Sequence, residues 1–452
     1  MLATMPNSGV PSRRSAVLCA MPAIGHVEPM LVVARELLRR GWRVRMLTGA
    51  RYAHRVRAAG VEFIALPAEA DTLDSVGAQS RNRGLDTINA GVEEAFVRPA
   101  APAGRALLQV LADAPADVVF HDMTFLGVQV LFAQPAEKRP VTVLCGVSAA
   151  GFSSRDTAPY GLGTTPARFV PVGRVRNAVL DRVSRWVLAP AHRSVDALLA
   201  ELGAPGLSGA FFMDILSRSD LLAQFTVEGF EYPRPDGPDH LRFYGPMAAP
   251  GGVDIPLPPW WDELDPEVPL VHVTQGTVAN TDFTEVIGPA LTALEKERVQ
   301  VVVTGGGRPV GDLPSLPDNA FAADYLPYDQ LLPRTSVFVT NGGYGGLHHA
   351  MRYGVPIVVA GDSEDKVETS ARVHWSGSGI SLRTGHPTPA KIRRAVRHIL
   401  THPTYADTAA RLGRDITAAP GAPGLVDDVE TLLRARTQRT ASDNSVRQGD
   451  EQ

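Results

Sequence analysis

Residues Val337–Ala360 read VFVTNGGYGGLHHAMRYGVPIVVA. Val337–Thr340 is a short apolar, β-branched run that ends at Asn341-Gly342-Gly343. Leu347–Met351 begins a helix, and Val355–Ala360 is strand-like again. Strand, glycine turn, helix and strand in that order make a βαβ unit of a parallel sheet. The glycines let backbone N–H groups approach a ligand, and the helix start adds partial positive charge. Together they suit an anion such as a diphosphate. The turn lacks the Lys-Ser/Thr of a Walker loop and is not a GxGxxG dinucleotide fingerprint. A tight left-handed turn without a ligand is the competing reading of these glycines alone.

The same alternation extends on both sides. Upstream, Val268–Val273 ends in Thr274-Gln275-Gly276-Thr277, Ile287–Leu294 is helical, and Val299–Val303 ends in Gly305-Gly306-Gly307. Downstream, residues 388–415 carry amphipathic helices and Asp427–Arg434 a last one. Tyr232–Pro259 holds eight prolines in 28 residues, which reads as a linker, because proline blocks helix interiors and central strands. Before it, Ala16–Ala20 is a buried strand, followed by a glycine loop and a helix over Pro29–Arg40. There Met30, Val33, Ala34, Leu37 and Leu38 recur at helical spacing until Gly41. Arg43–Thr48, Val61–Leu66, Val118–Phe120 and Val141–Cys145 continue as strands. The expected architecture is α/β, with two doubly wound Rossmann-like domains facing across a cleft. The expected division is a loose tail over 1–14, a first domain over 15–231, a linker over 232–259, a second domain over 260–436 and a disordered tail over 437–452. In such sheets ligands bind at the carboxyl ends of the strands.

Composition narrows the function classes. With 44% hydrophobic and 20% charged residues among 452, the chain has ample core material, which excludes global disorder. A net charge of −4 gives no basic field for nucleic acid. Two cysteines, Cys19 and Cys145, both in apolar runs, exclude a disulfide scaffold and a cysteine zinc site. No apolar run approaches the ~18–20 residues that span a bilayer. Arg13-Arg14 followed by SAVLCAMPAIG imitates a signal peptide but passes directly into a helical pattern, so a folded strand explains it better. A cytoplasmic protein is expected.

The stretch Tyr325–Ile380, YLPYDQLLPRTSVFVTNGGYGGLHHAMRYGVPIVVAGDSEDKVETSARVHWSGSGI, resembles the inverting, nucleotide-sugar-dependent glycosyltransferases of the GT-B fold. That family includes the plant UDP-glycosyltransferases and the bacterial antibiotic and macrolide glycosyltransferases. The resemblance implies that Tyr325 stacks on the donor base and that the Leu326 backbone pairs with it. Gly343, Tyr344, Gly345 and Gly346 fall where the family holds the diphosphate. Asp365 falls on the acidic position that binds sugar hydroxyls, with Lys366 where glutamine is usual and Glu364 as a substitute one residue earlier. Val271–Asn280 resembles the first strand of the same domain, with Gly276 and Thr277 facing the phosphates. Two departures stand out. Asn341 replaces a phosphate-contacting histidine and keeps a donor without a charge. Gly346 replaces a small hydroxyl residue.

Met21–Pro29, MPAIGHVEP, resembles the family's first strand, loop and helix. Gly25 lies in this loop on the donor side, and His26 is the candidate general base. Histidine titrates near neutrality, and a neutral hydroxyl attacks an anomeric carbon poorly without a base. Asp122, after Val118–Phe120, is the candidate carboxylate that fixes the histidine tautomer. Its competing reading is a helix N-cap. The implied activity is inverting O-glycosyl transfer from a UDP- or dTDP-sugar to a hydroxyl of a small, largely apolar acceptor. It calls for no prosthetic group and no metal, and a monomer or a homodimer serves equally. A nucleotide-sugar epimerase or hydrolase of related fold and a non-catalytic nucleotide-sugar-binding auxiliary protein are the alternatives.

Overall fold

The structure is a computed structural model of the chain. It describes residues 13–72, 89, 91–248, 255–277, 280, 282–363 and 365–449. Glu364 and most of the expected N-terminal tail therefore lie outside the described residues.

Two parallel sheets organise the described chain. The first has seven strands: β1 (Ser15–Cys19), β2 (Arg43–Thr48), β3 (Glu62–Ala65), β4 (Val118–Asp122), β5 (Val141–Gly146), β6 (Leu221–Gln224) and β7 (Leu241–Phe243). Their order is β3-β2-β1-β4-β5-β6-β7. The second has six: β8 (Leu270–Thr274), β9 (Gln300–Thr304), β10 (Ala320–Ala323), β11 (Thr335–Thr340), β12 (Ile357–Val359) and β13 (Gly379–Ser381), ordered β10-β9-β8-β11-β12-β13. In both sheets the strand order reverses beside the first strand, between β1 and β4 and between β8 and β11. These are the switch points at which α/β sheets open a crevice.

The principal helices are α1 (Ile24–Arg39), α2 (Ala53–Ala58), α3 (Ala100–Asp113), α4 (Val170–Val187), α5 (Ala189–Glu201), α6 (Ile287–Leu294), α7 (Tyr344–Arg352), α8 (Lys366–Ser376), α9 (Pro389–Thr401), α10 (Thr404–Ala418) and α11 (Gly421–Gly449). Strands buried on both faces read as continuous apolar runs, as a helix-covered parallel sheet requires. Ala16, Leu18, Phe120 and Val143 pack toward Met30, Val33 and Leu37 of α1, whereas Val17, Cys19 and Val119 pack toward Leu107 and Val110 of α3. Cys19 and Cys145 are buried free thiols, and burial pushes both well above the ordinary thiol range.

Three features depart from the sequence-based expectation. α1 starts at Ile24, so Pro29 lies inside it. The proline has no N–H to give the Gly25 carbonyl, and Gly25 is exposed at the helix end, where that carbonyl is not buried. β7 forms within the proline-rich stretch. Three residues suffice for an edge strand, and Pro238 and Pro246 lie outside it. α11 runs on to Gly449, through most of the expected tail, and its Leu425, Val426 and Val429 join the core of the first sheet. Apart from these, α4, in a stretch for which the sequence set no face, buries Gly173, Asn177 and Ser184 and exposes Val172, Val175, Val179, Val183 and Trp186.

Candidate active site

The β1–β4 register sets Cys19 beside His121, so the loops after both strands start side by side. α1 begins directly after the four-residue loop Ala20–Ala23 with no side-chain cap, and its first turn carries His26. Asp122 ends β4 and is fully buried. His26 Nδ1 lies 3.3 Å from Asp122 Oδ1, with the imidazole side chain 20% exposed. Thr124 donates its hydroxyl to Asp122 Oδ1 at 2.5 Å, and the same hydroxyl is 3.1 Å from His26 Nδ1. Having spent its proton on Asp122, Thr124 Oγ1 can only accept from His26. Both contacts therefore place the ring proton on Nδ1 and the lone pair on Nε2.

Asp122 also accepts the N–H of Met21 at 2.6 Å on Oδ2 and those of Thr124 and Phe125, at 2.6 and 3.2 Å, on Oδ1. It thus closes the turn after β4 while facing His26, but it is not a helix N-cap: the helical segment that follows starts at Leu126 with Phe125 at its N-cap and no side-chain cap. Burial alone would raise its pKa. The His26 charge and the bonds from His26, Thr124 and Met21 outweigh burial and hold it below the ordinary carboxylate value. His121 next to it is a different case. It is buried, its Nε2 sits 2.8 Å from Ser219 Oγ, and burial pushes its pKa down to about 4. It is a neutral core histidine.

At the other switch point the register aligns Thr274 with Thr340, bringing Gln275–Thr277 against Asn341–Gly343. Asn341 is buried and donates its amide to the Gln275 carbonyl at 2.6 Å, tying the two loops together. Asn280 Nδ2 reaches the carbonyls of Gly276, Gly305 and Gly306 at 3.0–3.2 Å and adds the β9 loop to the same knot. Gly342 has φ +97°, and a Cβ there would sit 2.8 Å from Val359, so glycine is required for the turn itself. Gly343 and Gly345 are different: a Cβ at either meets nothing within 4 Å. α7 starts there with no side-chain cap and no acidic residue in its first turn. Open space over glycines at a helix start leaves backbone N–H groups reachable by an anion.

The other predicted positions divide. Gly25 is exposed at the start of α1 with open space where a Cβ would lie. Gly276 has φ +71°, and Thr277 is exposed at the end of β8. Gly346 lies in the first turn of α7 over Phe338. Tyr344 offers only its backbone to that turn. Its ring is buried and its hydroxyl accepts Gln224 Nε2 at 3.1 Å across to the first sheet. Asp365 stands before α8 and accepts the Ser148 hydroxyl, again across the domains. Lys366 is buried in the first turn of α8 rather than displayed. Tyr325 is 48% exposed beside Gly307, so it is not a core aromatic, while the Leu326 side chain is buried near Trp261 and Leu331. Both follow β10, at the outer edge of the sheet and apart from the glycine turn.

Comparison with known proteins gives these positions a context. Residues 17–144 match the glycosyltransferase family 28 N-terminal domain, and residues 289–432 match the erythromycin biosynthesis protein CIII-like C-terminal domain. The 4'-demethylrebeccamycin synthase of Lentzea aerocolonigenes is 39% identical over 427 residues, covering 92% of this chain and 99% of that protein. UDP-glycosyltransferase 2 of Phaeomoniella chlamydospora is 31% identical over 447 residues, covering 95% and 98%. The chain belongs to the UDP-glycosyltransferase family. Its fold is GT-B: the structure of CalG4, the calicheamicin glycosyltransferase, superposes with a TM-score of 0.72 at 24% identity over 93% of this chain and 98% of that one.

The epimerase, hydrolase and auxiliary-protein readings find no support among these relatives of the glycosyltransferase. Among its described residues, no helix is long and apolar enough to cross a membrane, and no group of three or more His, Cys, Asp or Glu side chains is placed to hold a metal ion. Sequence reasoning missed Thr124, Ser148, Gln224 and Asn280. Only Thr124 had a local signal, the Asp-x-Thr spacing of a side-chain-capped turn. The others take their meaning from contacts that join distant strands.

Proposed function

We propose that this glycosyltransferase is an inverting O-glycosyltransferase that moves a sugar from a UDP- or dTDP-linked donor to a hydroxyl of a small, largely apolar natural product. His26 is the base. Its Nε2 removes the acceptor proton as the acceptor oxygen bonds to the anomeric carbon and the bond to the diphosphate oxygen breaks. Asp122 stabilises the imidazolium that forms, and Thr124 helps keep the proton on Nδ1. The diphosphate takes backbone donors of Gly343–Gly346 at the start of α7, with Gly276 and Thr277 beside it. Tyr325 and Leu326 hold the base, Asp365 the sugar, and Gly25 lets the donor approach α1. We assign Lys366 and Asn341 a supporting role, holding the α8 start and the glycine turn in shape.

The observation that carries this reading is the 3.3 Å contact between a partly exposed histidine and a fully buried carboxylate at the switch point. The acceptor class is supported by the name of the 4'-demethylrebeccamycin synthase relative. The nucleotide alternatives are supported by the UDP-glycosyltransferase relatives and by a fold neighbour, a spinosyn rhamnosyltransferase solved with thymidine diphosphate. Incubation with UDP- and dTDP-glucose and a panel of polycyclic phenols and macrolides, read by product mass, tests it. His26→Ala should lose transfer while still binding UDP in calorimetry, and transfer at the wild-type rate would overturn the assignment. Unchanged turnover in EDTA is expected if backbone donors alone carry the diphosphate charge.

A further inference from the structure

The boundary between the two domains holds a charge cluster withdrawn from water. Arg372 of α8 is fully buried. Its Nε donates to Glu231 Oε2 at 2.9 Å, its Nη1 to Glu368 Oε2 at 2.8 Å and its Nη2 to the Ala150 carbonyl at 3.0 Å. Glu231 Oε1 accepts the Ala150 N–H at 2.8 Å. Glu368 Oε1 accepts the N–H groups of Gly161 and Gly163 at 2.8 and 3.0 Å. Buried charges persist only when paired and hydrogen-bonded, and here the partners come from both domains. The cluster therefore fastens residues 148–163, the segment after β5, onto the helix that Asp365 precedes. A Cβ on Gly163 would meet Val367 at 2.7 Å, which shows how closely the segment lies on α8.

Ser148 heads that segment and is buried. Its carbonyl accepts Gln224 Nε2 at 2.5 Å, and the same amide donates to Tyr344 Oη at 3.1 Å. Its hydroxyl donates to Asp365 Oδ2. A connected path thus runs from the glycine turn, through Gln224 and Ser148, to the carboxylate at the start of α8. A terminal carboxylate torsion is soft. Fixing one oxygen on a buried hydroxyl sets its plane and leaves the other oxygen for a ligand.

We propose that Ser148 is a positioning residue for the sugar end of the donor site, held in register by the Glu231–Arg372–Glu368 cluster. The acceptor-side domain then helps choose the sugar, although the sugar contact itself belongs to Asp365. The inference rests on the reading of Asp365 as the residue that binds sugar hydroxyls.

Calorimetric titration with UDP and with UDP-glucose separates the two ideas. Ser148→Ala should weaken UDP-glucose about fivefold, the size of one net hydrogen bond, and leave UDP within about twofold. In an Asp365→Asn background the same substitution should add nothing, because the group it orients has already changed. Glu368→Gln should shift UDP-glucose in the same direction as Ser148→Ala. Equal loss of UDP and UDP-glucose would reduce Ser148 to a structural role and overturn the proposal. Wild-type affinity for UDP-glucose in Ser148→Ala would overturn it while leaving the donor reading intact. Wild-type protein that binds neither UDP nor dTDP, with or without a sugar, would overturn the donor reading and this inference with it.

Discussion

Asp122→Asn tests the base pair at a calculable cost. The carboxylate is surrounded by donors: Thr124 N–H, Thr124 O–H, Phe125 N–H and His26 on Oδ1, and Met21 N–H at 2.6 Å on Oδ2. An amide must turn its NH₂ toward one side. Facing Oδ1 it would oppose four donors, so it faces Met21 instead and opposes one. That costs about 1–3 kcal/mol of folding free energy and keeps a neutral oxygen beside His26. The lost charge acts on catalysis. Two unit charges 3.3 Å apart interact by about 5 kcal/mol at an effective dielectric of ~20. With the histidine 20% exposed, screening removes up to about half of this, leaving about 2.5–5 kcal/mol for the imidazolium of the transition state. At 1.36 kcal/mol per decade, kcat should fall about 10²- to 10⁴-fold. Product formation at saturating donor and acceptor measures it. UDP affinity should not change, because Asp122 belongs to the other sheet. A folded Asp122→Asn enzyme within about tenfold of the wild-type kcat would refute the reasoning.

The same substitution has a pH signature in stability. Asp122 titrates below its ordinary value in the folded chain, against about 3.9 unfolded. A depressed folded value contributes stability that is fully present above about pH 4 and is lost as pH falls through the lower folded value. The stability gap between wild type and Asp122→Asn should therefore narrow below about pH 4. Denaturant unfolding from pH 3 to 6 measures the gap, and a constant difference would contradict an ionised Asp122.

Three further outcomes are expected. Gly345→Val projects into open space, so thermal stability should hold while UDP binding drops roughly tenfold or more; an unchanged calorimetric titration would remove the turn from the donor site. Gly342→Ala forces a Cβ onto a residue with φ +97° and against Val359, which should cost about 1–3 kcal/mol in denaturant unfolding, and a neutral result would contradict the turn geometry. Arg372→Leu leaves Glu368 buried without its cation and Glu231 with Arg234 alone, at roughly 3–5 kcal/mol, so the midpoint of thermal unfolding should drop; an unchanged midpoint would mean the cluster is not needed for the domain contact.

The architecture was legible because its signals are local. Short apolar runs ending in glycine or a polar residue marked both parallel sheets, and β1, β4, β8 and β11 lie where those runs do. Helix starts were harder to read. α1 and α7 begin at Ile24 and Tyr344, before the residues that start the apolar period, because neither has a polar N-cap to announce it. The valine stripe of α4 follows a helical period yet faces outward, and periodicity alone does not say which side a helix turns to its neighbours. Tyr344 and Lys366 were expected at the ligand, and the structure buries both side chains. Only the approach of the first sheet, through Gln224, explains where the tyrosine goes. His26 and Asp122 were findable because one follows and the other ends a strand-like run in a pattern that resembles a known family, but Thr124, whose hydroxyl touches both, takes on its role only when β1 and β4 lie side by side.

The two switch points use one geometry for opposite ends. The first sets one buried carboxylate against the His26 ring, and on the proposed reading that carboxylate is the partner a base needs for the proton it gains. The second presents glycines and backbone, with no lysine or arginine between Asn341 and Leu347. On the proposed reading a diphosphate arrives there with its own charge. Oriented N–H dipoles can meet that charge without the desolvation that a buried cation would pay when the site is empty. The buried arginine Arg372 is spent instead on joining the domains, where both of its carboxylate partners are permanent. On that reading, counting basic residues says nothing about the proposed phosphate site. That division of labour also predicts that recognition of the donor's sugar, unlike that of its diphosphate, depends on side chains from both halves of the molecule, Asp365 in contact and Ser148 orienting it.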